Sequence, residues 1–118
     1  MAKRIMLVDD DRTLASLIKT LLELDGYDVT VVAQGAQVLA QVAAQRPDAV
    51  VMDVHLADGD GLTLLRQLRA DPAYQTLPIL MASGMDLEDQ CTDAGATSFI
   101  LKPYPPDQLT TTLEKVLA

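Results

Sequence analysis

Four acids, one hydroxyl and one ammonium stand out by where they fall along the chain. Asp9, Asp10 and Asp11 follow directly on the apolar run Ile5-Met6-Leu7-Val8, and Asp53 follows Ala49-Val50-Val51-Met52. Ser83-Gly84 comes shortly after Leu77–Met81, and Lys102-Pro103 directly after Ser98–Leu101. Brought together, such carboxylates hold either a proton or a cation. Two ionised carboxylates about 4 Å apart repel by roughly 4 kcal/mol at an effective dielectric near 20. With oxygen donors and no thiolate, a hard cation such as Mg²⁺ is the natural partner. Taken singly, each feature is ordinary: Asp11 caps a helix, and Ser83-Gly84 and Lys102-Pro103 are turn dipeptides. Their joint placement after four apolar runs is what carries weight.

The elements that must position these residues are legible in the alternation of two periods. Apolar runs at Ile5–Val8, Val29–Val32, Ala49–Met52, Leu77–Met81 and Ser98–Leu101 read as strands buried on both faces. Between them, Leu14, Leu17, Ile18, Leu21 and Leu22 fall on one helical stripe. Leu39, Val42 and Ala43 repeat the spacing, as do Leu62, Leu65 and Leu68, and finally Leu109, Leu113, Val116 and Leu117. Asp11 can cap the first helix, Gly26 can end it, Pro47 stops the second, and Pro105-Pro106 sits where the last should begin. Met85–Ala94 is the weakest helix, with four acids and little apolar face. Strands alternating with helices predict an α/β fold with a parallel sheet. Ligands of such open sheets bind beyond the carboxyl ends of the strands, which is where the acids fall.

Composition narrows the functions further. At 118 residues the chain has the length of one domain, and 49% apolar with 22% charged residues is ordinary for a globular protein. Nine Lys and Arg against seventeen Asp and Glu give a net charge of −8, which repels a phosphate backbone and argues against direct nucleic-acid binding. Three Tyr, one Phe and no Trp leave little for base stacking. The single cysteine, Cys91, excludes an internal disulfide and reads as a small apolar filler. Apolar runs this short predict no membrane span and a cytoplasmic location.

The chain resembles a response-regulator receiver domain of two-component signalling, of the chemotaxis-regulator type, over essentially residues 1–118. The resemblance rests on Ile5-Met6-Leu7-Val8-Asp9-Asp10-Asp11, on Pro47-Asp48-Ala49-Val50-Val51-Met52-Asp53 and on Gly59-Asp60-Gly61. It continues through Leu77-Pro78-Ile79-Leu80-Met81-Ala82-Ser83 and Gly95-Ala96 to Lys102-Pro103. It implies a flavodoxin-like, doubly wound five-stranded parallel sheet of strand order 2-1-3-4-5 with five helices. It further implies that Asp53 accepts a phosphoryl group from a sensor histidine kinase or phosphotransfer protein. Asp10, Asp53 and the backbone carbonyl of His55 would bind Mg²⁺, and Asp9 would act through coordinated water. Lys102 and the Ser83 hydroxyl would meet phosphoryl oxygens, and Gly84 would leave space beside them. Ser83 and Phe99 would form the switch, plain core packing being the equal alternative for Phe99. The Lys102–Pro103 peptide would be cis, and the signal would pass to a downstream protein. Such a domain is not an enzyme, beyond catalysing its own phosphorylation and dephosphorylation.

Two positions depart from the pattern. Ala57 stands where a proline is usual, which should loosen the loop after Asp53. The interval from Ser83 to Lys102 is short by about one helical turn. The fourth helix should therefore be short or partly unwound, leaving a monomer or weak dimer. The ring of His55, the only histidine, is expected to be exposed with only its backbone in use, the alternative being a general base for acyl-phosphate hydrolysis. The resemblance implies that this side-chain position modulates the rate of dephosphorylation.

The rival reading is an enzyme: Asp9-Asp10-Asp11-Arg12-Thr13 also fits the Asp-x-Asp-x-Thr of haloacid-dehalogenase-like phosphatases, with Asp9 as nucleophile and Asp11 as acid-base. That reading lacks a later acidic motif and leaves Asp53 idle. A calcium loop from Asp58 fails at Thr63 and Arg69, where Gly and Glu are needed. Three aspartates would repel a flavin phosphate, and Gly59 and Gly61 lack the third glycine of a dinucleotide loop.

Overall fold

The computed structural model describes residues 2–118. The main sheet contains β1 (Arg4–Val8), β2 (Asp28–Val32), β3 (Ala49–Asp53), β6 (Ile79–Ser83) and β7 (Ser98–Leu101). It is parallel throughout, in the order β2-β1-β3-β6-β7, which is 2-1-3-4-5 among these five strands. A small antiparallel ribbon, β4 (His55–Leu56) with β5 (Gly59–Asp60), follows β3 and was not expected from the periodicity. The helices are α1 (Arg12–Leu24), α2 (Val38–Gln45), α3 (Gly61–Ala70), α4 (Glu88–Asp93) and α5 (Pro106–Leu117).

Side-chain alternation along the strands divides the core in two. Ile5, Leu7, Val51 and Leu80 point toward Ala15, Ile18 and Leu22 of α1 and Leu109 and Leu113 of α5. Met6, Val8, Met52 and Met81 point the other way, onto Val38, Val42, Leu65, Leu68 and Cys91 from α2, α3 and α4. Both faces are covered, so the central strands read as unbroken apolar runs.

Several boundaries differ from the expected ones. The fourth main-sheet strand runs Ile79–Ser83, two residues later than Leu77–Met81. Pro78 has no N–H to give the ladder, although its carbonyl accepts from Val50 N at 2.9 Å. Asp53 and Ser83 are therefore the last residues of their strands rather than the first after them. The leucine stripe of α1 also splits. Ile18 and Leu22 are buried, whereas Leu17 is 55% exposed. In α2 the buried positions are Val38 and Val42, and Leu39 is exposed.

The helix ends follow their caps. Asp11 accepts from Leu14 N at 3.1 Å, and Gly26 turns the chain after α1 with φ +94°. Pro106 opens α5, where the missing N–H costs nothing. α4 has six residues, as the shortened interval implies, and it docks through buried Cys91 with Ala94 just beyond it. Arg69 on α3 braces this corner: its guanidinium donates to the carbonyls of Gly95 at 2.8 Å and Tyr74 at 2.6 Å, and to Thr97 Oγ1 at 3.3 Å.

Candidate functional site

From β1 the chain crosses to β2 on one side and later returns to β3 on the other, so the strand order reverses between β1 and β3. The crevice at that reversal is where a parallel sheet binds its ligand. Val8 is in register with Met52, which places Asp9-Asp10 and Asp53 side by side at the carboxyl edge. Carboxylate oxygens of Asp9, Asp10 and Asp53 all lie within 4.8 Å of one another.

Lys102, from the end of β7, enters this cluster. Its Nζ lies 2.9 Å from Asp53 Oδ2 and 3.3 Å from Asp9 Oδ2. Asp9 is buried, and its other oxygen accepts from Asp11 N at 2.9 Å. The Lys102–Pro103 peptide is cis.

Burial pushes the Asp53 carboxyl above its ordinary pKa. The hydrogen bond and charge of Lys102 pull it back, and the charges of Asp9 and Asp10 push it up again. For Lys102, burial works against the ammonium, but the hydrogen bond and charge of Asp53, with Asp9 behind them, outweigh it and raise its pKa. The two directions describe one pair from its two ends. The ammonium carries the gain of pairing, and the carboxylate carries the cost of a crowded, half-buried negative charge. A cluster of three oxygen-donor acids with one balancing ammonium leaves negative charge for a hard divalent cation to offset.

Ser83 pairs in register with Leu101, so it ends its strand beside the approach to Lys102, whose N–H donates to the Ser83 carbonyl at 2.8 Å. The Ser83 side chain is fully buried, and its Oγ accepts from Met85 N at 3.1 Å. Phe99 lies in register with Met81 and packs, partly buried, against the α2/α3/α4 side of the core. The His55 side chain is exposed, as expected. Gly61 is required by close approach: a Cβ there would collide with the carbonyl oxygen of Asp53, while Gly61 N donates to Val54 O at 2.7 Å. Beside Gly84 there is open space.

Two residues near the site carry no sequence signal for their placement. Tyr104 lies two positions beyond Lys102, and burial raises its pKa. Asp58 reaches across to the turn after β2, accepting from Gly35 N at 2.8 Å and Ala36 N at 3.2 Å. An aspartate in a tight turn is legible as such, but a partner 23 residues away is not.

The family model for the response regulator receiver domain matches residues 5–114. The chain is a receiver domain. Among curated relatives, the receiver domain is 35% identical over 120 residues to response regulator MprA of Mycobacterium tuberculosis, covering 99% of this chain and 51% of that protein. The chain thus spans about half the length of the curated relatives it matches. Among solved structures it resembles chemotaxis response regulator CheY4 of Vibrio cholerae, with a TM-score of 0.92, 28% identity, and coverage of 99% and 100% of the two chains. It also resembles the receiver domain of a sensor histidine kinase from Pseudomonas aeruginosa, with a TM-score of 0.89, 29% identity, and coverage of 99% and 98%. That relative has a magnesium ion coordinated in its active-site cleft. Receiver domains are signalling domains, and nothing supports the phosphatase reading of Asp9 and Asp11. No helix among the described residues is long and apolar enough to cross a membrane.

Proposed function

We propose that this receiver domain accepts a phosphoryl group on Asp53 from the phosphohistidine of a sensor histidine kinase or phosphotransfer protein. The observation that carries the reading is the Asp53 carboxylate, held 2.9 Å from Lys102 inside the Asp9–Asp10–Asp53 cluster at the sheet's switch point. An Asp53 oxygen attacks phosphorus in line with the departing nitrogen. The P–O bond of an acyl phosphate forms as the P–N bond breaks, and the electron pair returns to the donor's imidazole. Asp10, Asp53 and the His55 carbonyl would hold Mg²⁺, with Asp9 acting through water. When bound, the cation offsets the charge of the entering phosphoryl group. Lys102 follows the negative charge onto a phosphoryl oxygen. The Ser83 hydroxyl, which accepts from Met85 N, keeps its own proton to donate to another. Gly84 leaves the space such a group needs.

The donor has an apolar face to rest on. A groove of about 560 Å³ runs between α1 and α5, lined by Leu14, Leu17, Leu21, Tyr104 and Leu109, and it opens beside Lys102 and Gly84. A helix of the donor lying there presents its phosphohistidine to Asp53. The domain works in the cytoplasm and passes its signal to a downstream protein through a conformational change involving Ser83 and Phe99. With α4 only six residues long, the activated form is a monomer or weak dimer. Incubation with acetyl phosphate and Mg²⁺ should add one phosphoryl group, and Asp53→Asn should abolish it. Undiminished labelling of that variant would overturn the assignment.

A further inference from the structure

The loop after the acceptor raises a question of support. Antiparallel pairing of His55 with Asp60 and Leu56 with Gly59 leaves Ala57 and Asp58 as a two-residue turn. Such turns favour the mirror-image types that need positive φ. The single non-glycine residue with positive φ among the described residues is Arg46, so neither Ala57 nor Asp58 adopts it. The turn is therefore not one of the types whose twist matches the two strands of a ribbon. Ala57 also forgoes the fixed φ that a proline would bring.

The support comes from outside. Both Asp58 oxygens are engaged, Oδ1 with Gly35 N at 2.8 Å and Oδ2 with Ala36 N at 3.2 Å. These amides open the 3₁₀ turn Gly35–Gln37 that leads into α2, and Gln34 gives that turn no side-chain cap. Asp58 is thus the missing cap, delivered from another loop. The fit is close: a Cβ on Gly35 would meet Asp58 Oδ1 at 3.2 Å and Leu56 Cδ1 at 3.3 Å. The two backbone N–H donors hold the Asp58 carboxyl below its ordinary pKa. At the other end of the ribbon, Gly61 N donates to Val54 O at 2.7 Å.

We propose that Asp58 is a positioning residue for the metal site, anchoring the ribbon that begins at His55 and so fixing the backbone carbonyl of His55. The proposal rests on the functional reading above, in which that carbonyl is a ligand of Mg²⁺. The side chain stands in for the absent proline: it restrains the loop through the turn that follows β2 instead of through its own backbone. Outer partners of metal ligands typically change affinity by about 10- to 100-fold when removed. Asp58 acts on one ligand of three, so the low end applies.

The test is Mg²⁺ titration by calorimetry, with thermal melting run in parallel. Asp58→Ala should weaken Mg²⁺ binding by about ten-fold. Asp58→Asn keeps one acceptor for Gly35 N, so it should weaken binding by about three-fold, midway on a logarithmic scale between the parent and the ten-fold loss of Asp58→Ala. Adding Ala57→Pro to Asp58→Ala should recover most of the lost affinity, because the proline restores restraint by a different route. A merely structural Asp58 predicts a lower melting temperature with unchanged Mg²⁺ affinity in all three variants, and that result overturns the proposal. If Asp58→Ala does not fold, Asp58→Asn decides: parent-like affinity refutes the role. If the parent itself binds no Mg²⁺, the functional reading fails, and this proposal fails with it. Parent binding with unaffected variants refutes the Asp58 role alone.

Discussion

Replacing Asp53 by asparagine probes the charge balance on which the site depends. Lys102, 2.9 Å away, attracts the carboxylate by about 6 kcal/mol at an effective dielectric near 20. Asp9 and Asp10, with oxygens within 4.8 Å, each repel it by at least about 3.5 kcal/mol on the same footing. Attraction and repulsion nearly cancel, so the cost of burial sets the sign, in agreement with the raised pKa of Asp53. After a discount for solvent screening, Asp53→Asn should stabilise the metal-free protein by about 1 kcal/mol. For a domain of this size that is about 4 °C in melting temperature. The pH dependence has a definite direction. A carboxyl whose folded pKa lies above its unfolded value of 3.8 costs stability once ionised, and the cost disappears as both states become protonated. The gap between variant and parent should be full at pH 7 and close as the pH falls toward 3.8. Mg²⁺ should reverse the ranking. At about 100 times its Kd it should stabilise the parent by about 2.7 kcal/mol, whereas the variant would lack one charged ligand of the proposed site. Thermal melts in EDTA and in excess Mg²⁺ measure both halves. An Asn variant that melts at or below the parent in EDTA would refute the reasoning, because the cluster would then be a net source of stability.

Gly61→Ala should destabilise the domain by about 3 kcal/mol, since the new methyl must displace the Asp53 carbonyl, and chemical denaturation would register the loss. Arg69→Ala removes donors to Gly95 O, Tyr74 O and Thr97 Oγ1 and should cost about 2–3 kcal/mol. Amide exchange across residues 85–95 should open first in the parent and faster in that variant; uniform exchange across the domain would count against α4 as the weakest element.

The acids were legible because a parallel sheet buried on both faces leaves its strand ends as the place for polar residues. The strand order reversal then brings Asp9, Asp10 and Asp53 together. The exact ends were less legible. Pro78 contributes a carbonyl but no N–H, so an apolar run that begins at Leu77 becomes a strand only at Ile79. The α1 stripe misled for a different reason: five leucine and isoleucine positions fit one helical face, but the sheet covers only the narrower line through Ile18 and Leu22. Helical spacing reports which residues share a face, not how wide a surface the neighbours offer. The loop that carries Ala57 is tied by Asp58 to Gly35, a contact between residues far apart in sequence that no local pattern carries. The direct pairing of Lys102 with Asp9 as well as Asp53 likewise joins residues that no local pattern connects.

The groove between α1 and α5 reaches Lys102, which pairs with the acidic cluster, so what occupies it would also decide how solvent reaches Asp53. Water is the agent that would hydrolyse an acyl phosphate on Asp53. A donor that leaves promptly exposes its product to that hydrolysis, and one that lingers shields it. The duration of the signal would then depend on the residence time of a partner on exposed leucines such as Leu17, as well as on the intrinsic chemistry of the aspartyl phosphate. Polar substitutions at Leu17, remote from the reacting atoms, would shorten signal lifetime by hastening partner departure, while hydrolysis in the isolated domain stayed the same.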